Sequence, residues 1–160
     1  MRRSLIVAAI AALLLIVSMA PAGATPPSGV EIVDLVTFDP QNPGPSTGEF
    51  TATGPAVDAG LICPAGTSVD VFAKYSGFNA ATGYMNAQIV KQFTCDDESG
   101  EFLVKLQVRI YPGEGTDFNW TIVGGTGAYE DLHGSGEGVG FGQGGPPPVT
   151  DLYSGKAHSD

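Results

Sequence analysis

The chain has 160 residues, with 17 acidic against 7 basic side chains, two cysteines and a net charge of −10. That length gives a single domain large enough to bury a core. The acidic balance excludes a basic surface for nucleic acid or anionic membranes.

The chain opens MRRSLIVAAIAALLLIVSMAPAGA. Arg2 and Arg3 form a basic start, Leu5 to Met19 is apolar, and Ala22-Gly23-Ala24 gives an A-x-A pattern. This predicts a secretory signal peptide over residues 1–24, cut after Ala24. The apolar run is short of the ~20 residues a spanning helix needs, which argues against a transmembrane anchor. No cysteine follows the run directly, and no second apolar run exists. The expected product is secreted and extracellular, without a membrane anchor. Loss of Arg2 and Arg3 takes its net charge from −10 to −12. Residues 25–29 are expected to be a mobile N-terminus, and residues 30–160 one domain.

Along that domain no window holds a helical period, whereas period-two alternation recurs. Strands are predicted at Val30 to Thr37, Gly48 to Thr53, Ser68 to Tyr75 and Ala87 to Cys95. The clearest runs from Glu101 to Tyr111. Phe102, Val104, Leu106, Val108 and Ile110 share one face, and Lys105, Gln107 and Arg109 the other. Phe118, Trp120 and Ile122 alternate with Asn119 and Thr121 in the next strand, after the turn PGEGTD. Gly136 to Gln143 and Leu152 to His158 complete a set of eight. Residues 39–46, DPQNPGPS, read as an exposed loop, and residues 144–148, GGPPP, as a stiff connector. Eight short strands at this spacing indicate an all-β sandwich or barrel.

Cys63 and Cys95 are expected to form one disulfide in a secreted chain. A metal pair or a redox pair would be marked by CxxC spacing, which is absent.

GSGEGVGFGQGG, residues 134–145, places glycine at every second position from Gly134 to Gly144. The spacing fails GxGxxG, GK[ST] is missing, and Tyr129 stands where a calcium nonapeptide needs Asp. A disordered linker is the rival reading. On a strand, Gly136, Gly138, Gly140 and Gly142 would share a face bare of side chains. Glu137, Val139, Phe141 and Gln143 would share the other. Such a face needs large neighbours to pack on it, and Phe118, Trp120 and Tyr129 are the candidates.

The segment WTIVGGTGAYEDLHGSG, from Trp120 to Gly136, resembles the GGTGxYxxLxGxG segment of dirigent and allene oxide cyclase-like proteins. It is similar especially to their secreted bacterial relatives, over about residues 117–142. The resemblance implies a single antiparallel β-barrel of about eight strands, calycin-like or allene oxide cyclase-like, and self-association as a homo-oligomer. It makes Gly124, Gly125, Gly127, Gly134 and Gly136 backbone positions of a structural turn. Tyr129 and Leu132 become apolar plugs at one barrel end. The residues alone say something close: Gly124, Gly125 and Gly127 of Gly-Gly-Thr-Gly would supply positive-φ positions, and A-Y-E-D-L is too short for a stable helix.

Catalytic constellations are scarce. His133 and His158 read as solvated surface residues, and no G-x-S-x-G elbow occurs. Asp96, Asp97 and Glu98 read as a solvated turn rather than a calcium site. Asn119-Trp120-Thr121 matches a glycosylation sequon that the bacterial look of the leader makes irrelevant. Glu137 and Asp131 are the candidates for an acid inside a cavity. No cofactor, metal or catalytic residue is expected.

Three functions follow. The first is binding of a small hydrophobic ligand inside the barrel, lined by Phe102, Leu106, Trp120 and Phe141. The second is a dirigent-like or cyclase-like enzyme acting on an apolar substrate. The third is a structural, oligomeric, envelope-associated protein with a filled barrel and an exposed apolar patch.

Overall fold

The computed structural model describes residues 24–38, 45–142 and 148–160. Nearly all of the expected leader, most of the 39–46 loop and most of the 144–148 connector lie outside the described residues.

The eight strands are β1 (Ser28–Thr37), β2 (Thr47–Thr53), β3 (Ala65–Tyr75), β4 (Met85–Cys95), β5 (Glu101–Tyr111), β6 (Gly115–Gly125), β7 (Leu132–Phe141) and β8 (Val149–Ser159). They form a closed antiparallel barrel in sequence order. β8 returns to pair with β1 from Ser28↔Ala157 to Val36↔Val149. Closure leaves no unpaired edge, which is how an all-β domain avoids pairing with other chains. Residues 25–29, expected to be mobile, are tied down instead. Ser28 and Gly29 pair with Ala157 and Lys156, and Thr25 N donates to Ser159 O at 2.7 Å.

The alternation that predicts the strands also sets their faces. Val30, Ile32 and Val36 point inward from β1, Phe93 and Cys95 from β4, and Phe102, Val104, Leu106 and Val108 from β5. A bulge at Val71 shifts the phase of β3, so that Ala73 rather than Phe72 opposes Ile89.

One end of the barrel is shut. A single helical turn, α1 (Pro55–Asp58), packs against it with Ala56 fully buried. The sequence has no helical period here because four residues are too few to show one. Ile62, Tyr129 and Leu132 are buried at the same end. Cys63 and Cys95 form a disulfide with Cα atoms 6.0 Å apart. Tyr129 Oη lies 2.7 Å from Ser99 Oγ, and Ser99 in turn donates to Asp97. The Ser99 hydroxyl and the Ser99 backbone N–H hold the Asp97 carboxyl below its usual range and make Asp97 the organiser of an exposed turn.

Aromatic rings fill this half of the interior. Phe93 stacks on Phe102 with centroids 5.1 Å apart, and Phe50 meets Phe93 edge-on at 5.0 Å. Toward the other end, Tyr153 leans on Phe118 at 4.9 Å.

The glycine strand is β7, and its bare face points inward. A Cβ on Gly138 would collide with the Phe118 ring at Cε2 and Cζ, and one on Gly136 would come within 2.8 Å of Trp120 Cε2. The missing side chains let the indole reach the wall, where Trp120 Nε1 donates to Glu137 O at 3.1 Å and Ser154 O at 3.3 Å. Tyr129 plays no part in this packing. It meets Gly125 instead, where a Cβ would collide with its backbone. Of the turn glycines, Gly127 has the positive φ, 61°. Gly124 and Gly125 do not, so the expectation of several positive-φ positions in Gly-Gly-Thr-Gly is corrected.

Gly138→Val is expected to lower stability by about 1–3 kcal/mol or more through overpacking against Phe118. Glu137→Val, one residue away on the outer face, is expected to stay within about 0.5 kcal/mol. Urea denaturation midpoints of the two variants check this.

Candidate functional site

The other end of the barrel carries the β1–β2, β3–β4, β5–β6 and β7–β8 connections. Just inside it, three strands place a charge where alternation calls for an inward side chain. Asp34 sits between Ile32 and Val36 on β1, Lys91 between Ile89 and Phe93 on β4, and Asp151 between Val149 and Tyr153 on β8. Asp70 joins them from β3, directly opposite Lys91.

Lys91 Nζ is 2.7 Å from Asp34 Oδ2, 3.5 Å from Asp151 Oδ2 and 3.9 Å from Asp70 Oδ1. Ser68 Oγ donates to the other oxygen of Asp34 at 2.8 Å. The Lys91 and Asp34 side chains are 3 % and 0 % exposed. Charges this deep persist only when paired. Burial works against the Lys91 charge, but Tyr153 and the carboxylates of Asp34, Asp151 and Asp70 outweigh it and hold the ammonium above its usual range. Burial likewise pushes the Tyr153 phenol up.

One ammonium thus faces three carboxylates. Burial raises Asp151 to about 6, with Lys91 only partly opposing. Asp70 is raised for the same first reason. Among the described residues, Asp70 Oδ1 and Tyr153 Oη are the buried side-chain polar atoms without a hydrogen-bond partner.

A cavity of about 160 Å³ lies above this cluster. Val36, Ile89, Val108, Ile110, Phe118 and Val149 supply apolar wall; Lys91, Asp70 and Asp151 supply the polar floor. A cavity of about 150 Å³ holds one benzene-sized molecule. A larger concavity, about 690 Å³, lies on the outside of the sheet between Glu31, Arg109, Glu137 and Leu152. It is open, and Arg109 and Asp117 at its border form an exposed ion pair.

The expected lining residues separate. Leu106 lines the cavity. Phe102, fully buried, and Trp120, 2 % exposed, are locked into the filled half. Phe141 is 52 % exposed on the outer face, because the glycines of β7 take the inward phase. Glu137 and Asp131 are exposed as well, so neither is a cavity acid. The inward acids are Asp34, Asp70 and Asp151, which a rule that charges face solvent passes over. His133 and His158 lie on the surface but not apart. They pair across β7 and β8 with ring centroids 5.4 Å apart, and His133 Nε2 is 3.1 Å from Asp160 Oδ2. Among the described residues no group of three or more His, Cys, Asp or Glu is placed to hold a metal ion, and no helix is long and apolar enough to cross a membrane.

The Asp151 carboxyl gives a pH prediction. Its folded pKa of about 6 lies above the ordinary Asp value, 3.8, so between these the folded state binds more protons than the unfolded chain. Stability from this group therefore falls as pH rises from about 4 to 6. Asp151→Asn is expected to raise stability at pH 7.5 by on the order of 2–3 kcal/mol and to flatten that slope. Urea midpoints at pH 4.5 and 7.5 for both proteins check it.

Fold and site together define a closed up-and-down barrel, filled at one end and holding a small cavity over a buried ion cluster at the other. No family model, no curated protein and no solved structure matches the chain.

Proposed function

We propose that this chain is a secreted barrel that binds a small, largely apolar molecule at the end opposite the disulfide. The observation that carries the reading is the apolar-walled cavity of about 160 Å³ above Lys91. Small-molecule sites combine such walls with a few convergent polar groups. Secretion rests on the leader-like residues 1–24 and suits a chain with a disulfide. The test is a native mass spectrum of protein from the culture supernatant. The expected mass is that of the chain cut after Ala24, two hydrogens light, with a small molecule attached. A ligand-free mass that also stays unchanged when small apolar molecules are titrated in overturns the reading.

Two other readings each have one observation behind them. A dirigent-like or cyclase-like enzyme draws on the resemblance of residues 117–142 and on Asp151. A carboxyl raised to about 6 beside an apolar cavity suits general acid–base work. A structural, oligomeric, envelope-associated protein draws on the outer surface, where Val33, Leu152 and Val139 line up across β1, β8 and β7 and are partly exposed.

A further inference from the structure

We propose that the cavity above Lys91 selects a small primary ammonium, its charged head held between Asp70 and Asp151 and its short apolar body against Val108, Ile110 and Phe118. The inference rests on the binding reading above and adds the chemical class of the ligand.

The charge count comes first. Lys91 gives its short bond to Asp34, at 2.7 Å. It stands 3.5 Å from Asp151 and 3.9 Å from Asp70. Asp34 does not line the cavity, whereas Asp70 and Asp151 do. The two carboxylates that face the space are therefore the two least neutralised. Lys91 lines the same space, and with all three acids ionised the cluster, its own ammonium included, carries a net charge of −2.

Hydrogen bonding is the second, independent observation. Asp70 has a side chain 9 % exposed and faces the cavity; Ser46 bonds its carboxyl, but among the described residues Oδ1 has no hydrogen-bond partner. A buried carboxylate oxygen left unpaired is costly, and a donor entering the cavity removes that cost. A primary ammonium brings three N–H donors and a positive charge at once. The apolar walls distinguish an organic cation from a bare ion. Each methylene buried there adds roughly fourfold in affinity.

The effect of pH follows from the groups around Asp151. These are Asp34 on β1, Asp70 and Tyr75 on β3, Lys91 on β4 and Tyr153 on β8. An alkylammonium keeps its charge from pH 5 to 7.5, whereas Asp151, at about 6, loses its own as pH falls. Affinity for the cation rises with pH through that window, and affinity for a neutral analogue does not.

The experiment is a ligand-detected NMR titration of the intact protein with n-butylammonium, 1-butanol and ammonium chloride. At pH 7.5 n-butylammonium is expected to bind at least tenfold more tightly than 1-butanol and more tightly than ammonium. Its affinity should fall severalfold at pH 5. Asp70→Asn should weaken n-butylammonium at least tenfold and leave 1-butanol unchanged. If 1-butanol binds as well as n-butylammonium, the ammonium inference is overturned and the apolar-binding reading stands. Ammonium binding as tightly as n-butylammonium overturns the organic class. If neither butyl compound binds, the binding reading falls and this inference with it.

Discussion

Lys91→Met is expected to be the most damaging single substitution in the barrel, costing about 3–5 kcal/mol at neutral pH. Methionine matches lysine in length, so the loss comes from charge rather than from a cavity. It leaves Asp34, Asp70 and Asp151 facing one another with no cation among them. The defect should deepen as pH rises and ease under acid, where Asp70 and Asp151 take up protons. Asp34→Asn added to Lys91→Met should restore part of the stability, because it removes the deepest unpaired charge. Urea unfolding of the three proteins at pH 5 and 7.5 checks the set. Equal losses at both pH values would mean that the ion cluster is not what holds this layer together.

Loss of the disulfide is the second large effect. The Cys63–Cys95 bond closes a loop over a sequence separation of 32, which contains β3 and β4. Replacing both cysteines with serine is expected to cost about 3–4 kcal/mol in the chain-entropy model. The bond also pins the segment leading out of α1 to the end of β4, so its loss should loosen the closed end before the cavity end. Amide hydrogen exchange separates the two ends. The cysteines are 3 % and 4 % exposed, so thiol reductants should act on the native protein only after it opens.

The strands were legible where alternation is sharp. β5 reads at once from Phe102, Val104, Leu106 and Val108, and its observed span equals the expected one, Glu101 to Tyr111. Other ends moved: β3 starts at Ala65 and β7 at Leu132, because backbone pairing continues through glycines that carry no pattern. The disulfide was legible from the even cysteine count. The ion cluster was not, although its signal is present. Val30-Ile32-Asp34-Val36 keeps period two straight through a charge, but Val33 and Leu35 between them are also apolar and hide the phase. Ile89-Lys91-Phe93 and Val149-Asp151-Tyr153 repeat the device on β4 and β8. A charge in the inward phase of one strand calls for a partner in the inward phase of another. That rule would have named Lys91, Asp34 and Asp151, but not Asp70, whose inward neighbour on β3 is the polar Ser68. Phe141 and Glu137 were misplaced for the converse reason, since alternation separates two faces without saying which is inside.

Closure of the barrel also bears on how the chain reaches it. Seven of the eight pairings join strands adjacent in sequence, and only β1 with β8 joins the barrel's first and last strands. Loop-closure entropy grows by only about 0.6 kcal/mol per doubling of loop length, so closing this seam from an unstructured chain costs about 3 kcal/mol more than closing a short hairpin. It costs more in time, because distant pairings slow folding. During synthesis β1 emerges first and waits for β8, so a growing chain carries an unpaired β1 edge until its last strand appears. The apolar Val33 and Leu35 lie on that edge's outer face, and meeting another growing chain there is the hazard this topology has to outrun.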